Sequence, residues 1–144
     1  MYTERTSISA DADFAYETVK TTMRDFAIKT WGTWHDQDSK NAAIQDTKLG
    51  KIQIIYVGNE KAGTLQYETT ESEILVNQIY LLPPFQNKGI GGEIISNLQE
   101  NSRESNLPIK LSVLRVNSAT EFYFKKGFVI ENETVERVFM QYAP

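Results

Sequence analysis

The sequence has no cysteine and a single histidine, His35. Without cysteine there is no disulfide frame, no thiolate nucleophile and no thiolate metal site, which suits a reducing compartment. One histidine excludes a multi-histidine metal centre, and a Ser-His-Asp triad would have to use His35. Long apolar runs are missing too. The longest mainly apolar stretch, Ile74 to Phe85, is broken by Asn77, Gln78 and two prolines, far short of a membrane span. Residues 1–10 (MYTERTSISA) have neither a basic start nor an apolar core of the kind that directs secretion. The expected setting is cytoplasmic, with no membrane partner. Positive charge is in deficit. Fifteen Lys and Arg stand against nineteen Asp and Glu, a net charge of −4, so no diffuse field exists to hold nucleic acid.

What is present fits a globular domain. The chain has 144 residues, 40% apolar and 24% charged. A chain of this length hides roughly 68–70% of its unfolded surface, enough for a core without disulfides or structural metal. No repeat, low-complexity tract or linker divides it, so residues 1–144 read as one domain.

Hydrophobic periodicity orders the elements. Residues 3–9 alternate weakly, as an edge strand does. Ala15, Val19, Met23, Ala27 and Trp31 recur every four residues, widened by Phe14 and Phe26, and predict an amphipathic helix closed by Gly32. A weaker helix is expected from about His35 to Gln45, then a polar turn at 46–50. Strands follow at Ile52–Val57 and Ala62–Thr70, with Gly58-Asn59-Glu60-Lys61 as their hairpin turn. The next strand, Ile74 to Leu82, is apolar at odd and even positions, which predicts a central strand covered on both faces. Pro83 and Pro84 stop it. Ile90, Ile94, Ile95 and Leu98 mark a helix to about Ser105, and Pro108 opens a strand at Ile109–Val113. Ser118 and Glu121 have capping-box spacing, with Ala119, Phe122 and Tyr123 on one face of the helix they start and Gly127 as its C-cap. Strands near 128–131 and 137–142 end the chain. The order β-α-α-β-β-β-α-β-α-β-β predicts a mixed α/β sheet with helices on its faces.

The segment Tyr80 to Gly92 (YLLPPFQNKGIGG) carries the first chemical signal. A strand ends at two prolines and the chain turns through glycines into a helix, whose first N–H groups and positive dipole end attract anions. Gly89, Gly91 and Gly92 let an anion approach the backbone, and Lys88 adds formal charge. A Walker A loop would need glycine before the lysine, whereas Lys88 precedes Gly89; the dinucleotide fingerprint would need a third glycine where Ile94 stands. A glycine-rich turn that only lets helix and strand pack closely is equally compatible with this composition.

A second segment, Leu111 to Phe128 (LSVLRVNSATEFYFKKGF), joins the first. Gln86, Gly89 and Gly91, followed by Leu111, Val113, Asn117, Ala119, Phe122, Tyr123, Gly127 and Phe128, together resemble the GNAT N-acetyltransferase superfamily, most clearly over residues 51–130. The resemblance implies a three-layer fold around a mixed six- to seven-stranded sheet with helices on both faces. It also implies acetyl-CoA as co-substrate without a metal, and direct acetyl transfer in a ternary complex to a primary amine of a small molecule or peptide. Homodimers are frequent among such proteins.

Residue by residue, the resemblance assigns pyrophosphate binding to the amides of Gln86, Asn87, Lys88, Gly89, Ile90 and Gly91. It assigns strand-like pairing with the pantetheine arm to Leu81 and Leu82, and a cofactor contact to Asn117. A backbone N–H near Ile79 to Leu81 becomes the oxyanion donor and Tyr123 the general acid; a tyrosine, with an ordinary pKa of about 10, holds its proton at neutral pH. The acceptor side falls to Trp31, Trp34 and His35, with Asn77 and Gln78 on the central strand. Many relatives carry a Glu near positions 77 and 78. These two amides cannot take a proton, which leaves the general base unassigned.

Plainer readings stand beside these. Tyr123 lies on an apolar stripe and reads equally as core, Asn117 as a cap, the tryptophans as staples between helix and sheet, and Lys125 and Lys126 as a solvated face. At the level of function, the alternative to an enzyme is a non-catalytic acyl-CoA-binding or sensor module. A nucleotide-binding protein is opposed by both failed phosphate-loop spacings.

Overall fold

Eleven regular elements follow one another in the order the periodicity predicts: β1 (Thr3–Thr6), α1 (Ala12–Trp31), α2 (Asp36–Lys48), β2 (Gln53–Val57), β3 (Glu60–Thr69), β4 (Ile74–Leu81), α3 (Ile90–Ser105), β5 (Ile109–Leu114), α4 (Ala119–Lys125), β6 (Val129–Glu133) and β7 (Arg137–Tyr142). They come from a computed structural model that describes all 144 residues. The sheet has seven strands in the order β1-β2-β3-β4-β5-β7-β6. It is mixed: β4 pairs in parallel with β5 at Ile74↔Ile109 and Leu75↔Lys110, whereas β1–β2, β2–β3, β5–β7 and β6–β7 are antiparallel. β4 is the fourth strand, central as expected, and β1 is an edge.

Several expectations are corrected in detail. β1 stops at Thr6. The first hairpin turn is Gly58-Asn59 alone, with Gly58 at φ +61, so β3 starts at Glu60 and not at Ala62. α2 runs to Lys48 through the polar residues read as a turn. Its end is a Schellman motif: Lys51 N–H donates to the Asp46 carbonyl (2.9 Å) and Gly50 N–H to the Thr47 carbonyl (3.1 Å), with Gly50 left-handed at φ +68. β4 is buried at Ile74 and Val76 only; Asn77 is exposed and Gln78 to Leu81 are half-buried, so its second half is not covered on both faces.

The chain forms two compact units. One comprises residues 1–66 and 78–90, the other 67–77 and 91–144. In the first, Ala15, Tyr16, Ala43, Ile52 and Ile54 form a buried cluster flanked by Phe14 and Tyr56. α1 buries Ala15, Tyr16, Thr18 and Ala27, while Trp31, at the end of the predicted stripe, is 43% exposed. In the second, Ile94, Ile95, Ile109, Phe128 and Met140 are almost wholly buried.

A charged cluster fixes the start of the first unit. Asp11 is 2% exposed and takes Arg5 Nη2 at 2.9 Å, Arg5 Nη1 at 3.0 Å and the Ile8 N–H at 2.8 Å, with Lys61 Nζ at 3.7 Å. Hydrogen bonds from Arg5 hold the Asp11 carboxyl below the ordinary aspartate range, against the desolvation that raises it. Asp11→Ala leaves these donors without their acceptor, a loss of about 2–3 kcal/mol. The expected fall in Tm is roughly 5–10 °C. Because the folded pKa is depressed, the stabilisation is full above the ordinary aspartate pKa and is lost as pH falls through the folded value. Melting curves on acidification should therefore drop more steeply for the wild type than for Asp11→Asn; parallel curves would remove Asp11 from the acid response.

Candidate functional site

The turn after β4 is built by its prolines. Leu82 N–H donates to the Ala62 carbonyl (2.8 Å), and a 3-10 turn over Pro83–Phe85 closes with Phe85 N–H on the Leu82 carbonyl (2.9 Å). Two expectations need correcting here. Both main-chain groups of Leu82 have partners within the chain, so it has no free donor with which to pair an extended ligand. The Gln86 N–H closes the 3-10 turn on the Pro83 carbonyl at 3.2 Å and is not presented to an anion. The Gln86 side chain instead ties the turn to β4, its Nε2 donating to the Leu81 carbonyl at 2.8 Å.

Beyond Gln86 the backbone opens. Asn87 has φ +60 and Gly89 φ +82, both left-handed, and they flank Lys88. Alternation of this kind turns successive N–H groups toward one side, the geometry of an anion-binding concavity. Asn87, Lys88 and Gly89 are exposed. A Cβ added at Gly89 would meet nothing within 4 Å, so the space beside the turn is open. The turn runs directly into α3, whose first residue, Ile90, is 4% exposed and anchors the helix start. The helix dipole there favours negative charge, and Lys88 adds to it; Glu93 places one carboxylate in the same first turn.

On β4, the two amides expected to face an acceptor differ. Asn77 is exposed. Gln78 is engaged on both sides of its amide: Thr64 Oγ1 donates to Gln78 Oε1 (2.9 Å), and Gln78 Nε2 donates to Gln66 Oε1 (3.0 Å). One N–H and one lone pair of Gln78 remain beyond these bonds.

The α1–α2 junction holds Trp31, Trp34 and His35. His35 is exposed and stands at the start of α2, its carbonyl accepting the Ser39 N–H at 3.1 Å. Trp34 is half-buried, and its Nε1–H donates to Asp36 Oδ1 at 3.0 Å. The same oxygen accepts the Tyr16 hydroxyl. Lys20 and Lys40 lie 5.6 Å and 5.2 Å from the Tyr16 ring centroid. Hydrogen bonds from Tyr16 and Trp34 hold the Asp36 carboxyl below its ordinary range, and the same bond raises the Tyr16 phenol. The Trp34 indole is thus fixed by α1 and α2, while Trp31 is 43% exposed. Tyr16 and Asp36 went unnoticed in the sequence. The acidic residue in the first helical turn was visible, but its partner lies twenty residues upstream and only tertiary structure brings them together.

In the second unit, Tyr123 is 8% exposed and sits at the third position from the end of α4. Phe128 N–H donates to the Tyr123 carbonyl (3.0 Å) and Gly127 N–H to the Phe124 carbonyl (3.0 Å), with Gly127 at φ +88. This is a second Schellman motif, and the ring contact that usually accompanies it is present: Tyr123 and Phe128 meet edge-on with centroids 5.4 Å apart. Phe122 meets Tyr123 edge-on at 5.1 Å, and Phe128 meets Tyr142 at 5.7 Å. The Tyr-x-x-x-Gly-Phe spacing therefore has a mechanical meaning: glycine reverses the chain so that Phe128 locks the tyrosine. Lys126, read as a solvated face, is half-buried and donates to Ser96 Oγ at 2.7 Å.

The expected Ser118 capping box does not form. Ser118 has no side-chain capping bond, and Asn117 Oδ1 accepts the Ala119 N–H at 3.0 Å. Asn117 thus starts α4, with its side-chain N–H groups left beyond that bond. No group of three or more His, Asp or Glu side chains is placed to hold a metal ion, and no helix is long and apolar enough to cross a membrane.

Comparison with known proteins agrees with this fold. A family model described as an acetyltransferase (GNAT) domain matches residues 11–144. Among solved structures, the chain resembles the PaiA N-acetyltransferase of Thermoplasma acidophilum in complex with coenzyme A, at 16% identity and TM-score 0.77, covering 100% of this chain and 99% of that one. An acetyltransferase of Thermus thermophilus superposes with TM-score 0.77 at 12% identity, over 100% and 97% of the two chains. Ard1 of Thermoplasma volcanium does so with TM-score 0.69 at 16% identity, over 99% and 97%. At these identities the structures speak to fold. None of the curated proteins compared with the chain matches it.

Proposed function

Since this chain belongs to the GNAT acetyltransferase family, we propose that it transfers an acetyl group from acetyl-CoA to a primary amine of a small molecule or peptide end. The observation that carries this reading is the turn between β4 and α3, where left-handed Asn87 and Gly89 flank Lys88 in an exposed turn that is open beside Gly89 and leads into a helix start. Diphosphate suits that feature, because main-chain amides and a helix dipole stabilise charge without a metal. The amides of Asn87, Lys88, Gly89, Ile90 and Gly91 hold the diphosphate, and Leu81 N–H with Asn117 Nδ2 serves the pantetheine amides.

Bound acetyl-CoA supplies an activated acyl thioester; the chain supplies donors and a proton. A β4 N–H between Ile79 and Leu81 donates to the acyl oxygen as charge gathers on it. The amine nitrogen bonds to the acyl carbon, the carbon–sulfur bond breaks, and the Tyr123 hydroxyl gives its proton to the sulfur. The proton released by the amine leaves through water, since β4 offers no carboxylate at positions 77 and 78, and water returns a proton to the Tyr123 oxygen. Trp31, Trp34 and His35, with Asn77 and the remaining capacity of Gln78, face the acceptor. An indole held at its N–H by Asp36 presents a fixed ring to a cationic amine.

One observation favours a second reading. The missing β4 carboxylate, together with an amide at Gln78 already bonded to β3, fits a module that binds acyl-CoA without turnover. Calorimetry with CoA and thiol release from acetyl-CoA over a panel of primary amines separate the readings. Binding with amine-dependent release supports the enzyme. Binding with no release for any amine supports the module, and no heat with either CoA or acetyl-CoA overturns both.

A further inference from the structure

Gly63 stands alone in the middle of β3 and is buried. A Cβ built on it would lie 1.9 Å from the Tyr80 carbonyl oxygen, and 3.0 Å from both the Tyr80 carbonyl carbon and the Leu81 Cα. All three are main-chain atoms, so no side-chain rotation relieves the clash. An isolated glycine within a strand marks such a close approach of two backbones.

The register of the two strands changes between their ends. Thr70 N–H bonds to the Glu73 carbonyl at one end of the β3–β4 pair and Leu82 N–H to the Ala62 carbonyl at the other, each at 2.8 Å. Between those two bonds β3 advances eight residues and β4 nine. The strand with the extra residue must bulge. β3 is itself irregular next to Gly63: Ile55 pairs with Gly63 and Tyr56 with Lys61, which leaves Ala62 as an extra residue against β2. The Tyr80 carbonyl occupies the volume that a side chain at position 63 would take. In a trans peptide the C=O and the following N–H point in opposite directions. A carbonyl seated on Gly63 therefore directs the Leu81 N–H away from β3, while Gln86 Nε2 fixes the other side of the residue through the Leu81 carbonyl, at 2.8 Å.

We infer that Gly63 is a positioning residue for acyl-CoA: by lacking a side chain it sets the plane of the Tyr80–Leu81 peptide and aims the Leu81 N–H at the pantetheine arm. The inference rests on the acetyl-CoA reading above and adds to it a residue that itself touches neither ligand nor reacting atoms. Alanine at 63 must push the Tyr80 carbonyl aside and rotate that amide, leaving the diphosphate turn as it was.

The test uses full-length, 15N-labelled wild type and Gly63→Ala, with CoA titrated by calorimetry and by amide NMR. In the wild type, CoA should shift the Leu81, Gly89 and Gly91 amides. In Gly63→Ala, the free Leu81 amide should already be displaced and its response to CoA lost, while Gly89 and Gly91 still respond and the CoA Kd rises about tenfold. A merely structural glycine would lower stability without singling out Leu81. Wild-type affinity and a wild-type Leu81 response in the variant overturn the inference. Should Gly63→Ala fail to fold, the wild type decides alone: a Leu81 amide indifferent to CoA while Gly89 and Gly91 respond overturns the inference and leaves the acetyl-CoA reading intact. No heat and no shift at any wild-type residue overturns that reading, and this inference with it.

Discussion

Tyr123→Phe is expected to slow amine-dependent release of thiol from acetyl-CoA by about 10²-fold or more, with CoA affinity nearly unchanged. The substitution is informative because so much of the surrounding structure does not depend on the hydroxyl. The two main-chain bonds that end α4 run to the Tyr123 and Phe124 carbonyls. The edge-on contacts with Phe122 and Phe128 are made by the ring, which Phe retains. Loss of the hydroxyl should change stability by only about 1 kcal/mol. A rate loss far larger than the stability loss is then chemical. The deficit should fall on kcat, since a proton given to departing sulfur stabilises only the transition state. If Tyr123 were simply core, as its apolar stripe allowed, Phe would be silent in turnover. Equal kcat for wild type and variant would remove Tyr123 from the mechanism. A parallel Gly127→Ala variant separates position from chemistry: at φ +88 alanine strains the reversal that brings Phe128 onto the tyrosine, so it should lower stability and turnover together.

How much of this was readable beforehand depends on the range of each interaction. The eleven elements and their order follow from local periodicity, and Gly32 and Gly127 ended helices as glycine does past a helix end. The end of α2 was missed because Asp46-Thr47-Lys48 is polar; the stop signal was Gly50, two residues further on. Ser118 and Asn117 are both capable caps, and the choice between them is conformational. Ser118 adopts φ −74, ψ 3, outside the extended region a capping residue normally takes, so Asn117 caps the helix instead. Leu82 and Gln86 looked like ligand contacts because their main-chain partners, Ala62, Pro83 and Phe85, are set by the fold of the proline turn. The bond joining Tyr16 to Asp36 and the extra residue of β4 are tertiary facts with no local pattern.

Gly89→Val should raise the CoA Kd about 10- to 100-fold, the loss of one or two charge-assisted bonds from main-chain amides. Two effects combine at this position. At φ +82 a β-branched residue is strained, so valine drags the backbone away from its left-handed conformation and turns the flanking N–H groups out of line. Its side chain also enters space where nothing now lies within 4 Å. Gly89→Asn separates the two, because asparagine tolerates left-handed backbone yet still fills the concavity. Weak binding by both variants identifies occlusion; weak binding by valine alone identifies amide direction. A ligand without phosphate supplies the control. The turn acts on diphosphate, so the kcat/KM for acetyl-pantetheine should be unaffected by Gly89→Val while that for acetyl-CoA falls, and kcat at saturating acetyl-CoA should hold. The advantage of CoA over pantetheine would then shrink in proportion to the lost affinity, and should decline with added salt in the wild type as well. A folded Gly89→Val protein that binds CoA as tightly as wild type would place the diphosphate elsewhere on the molecule.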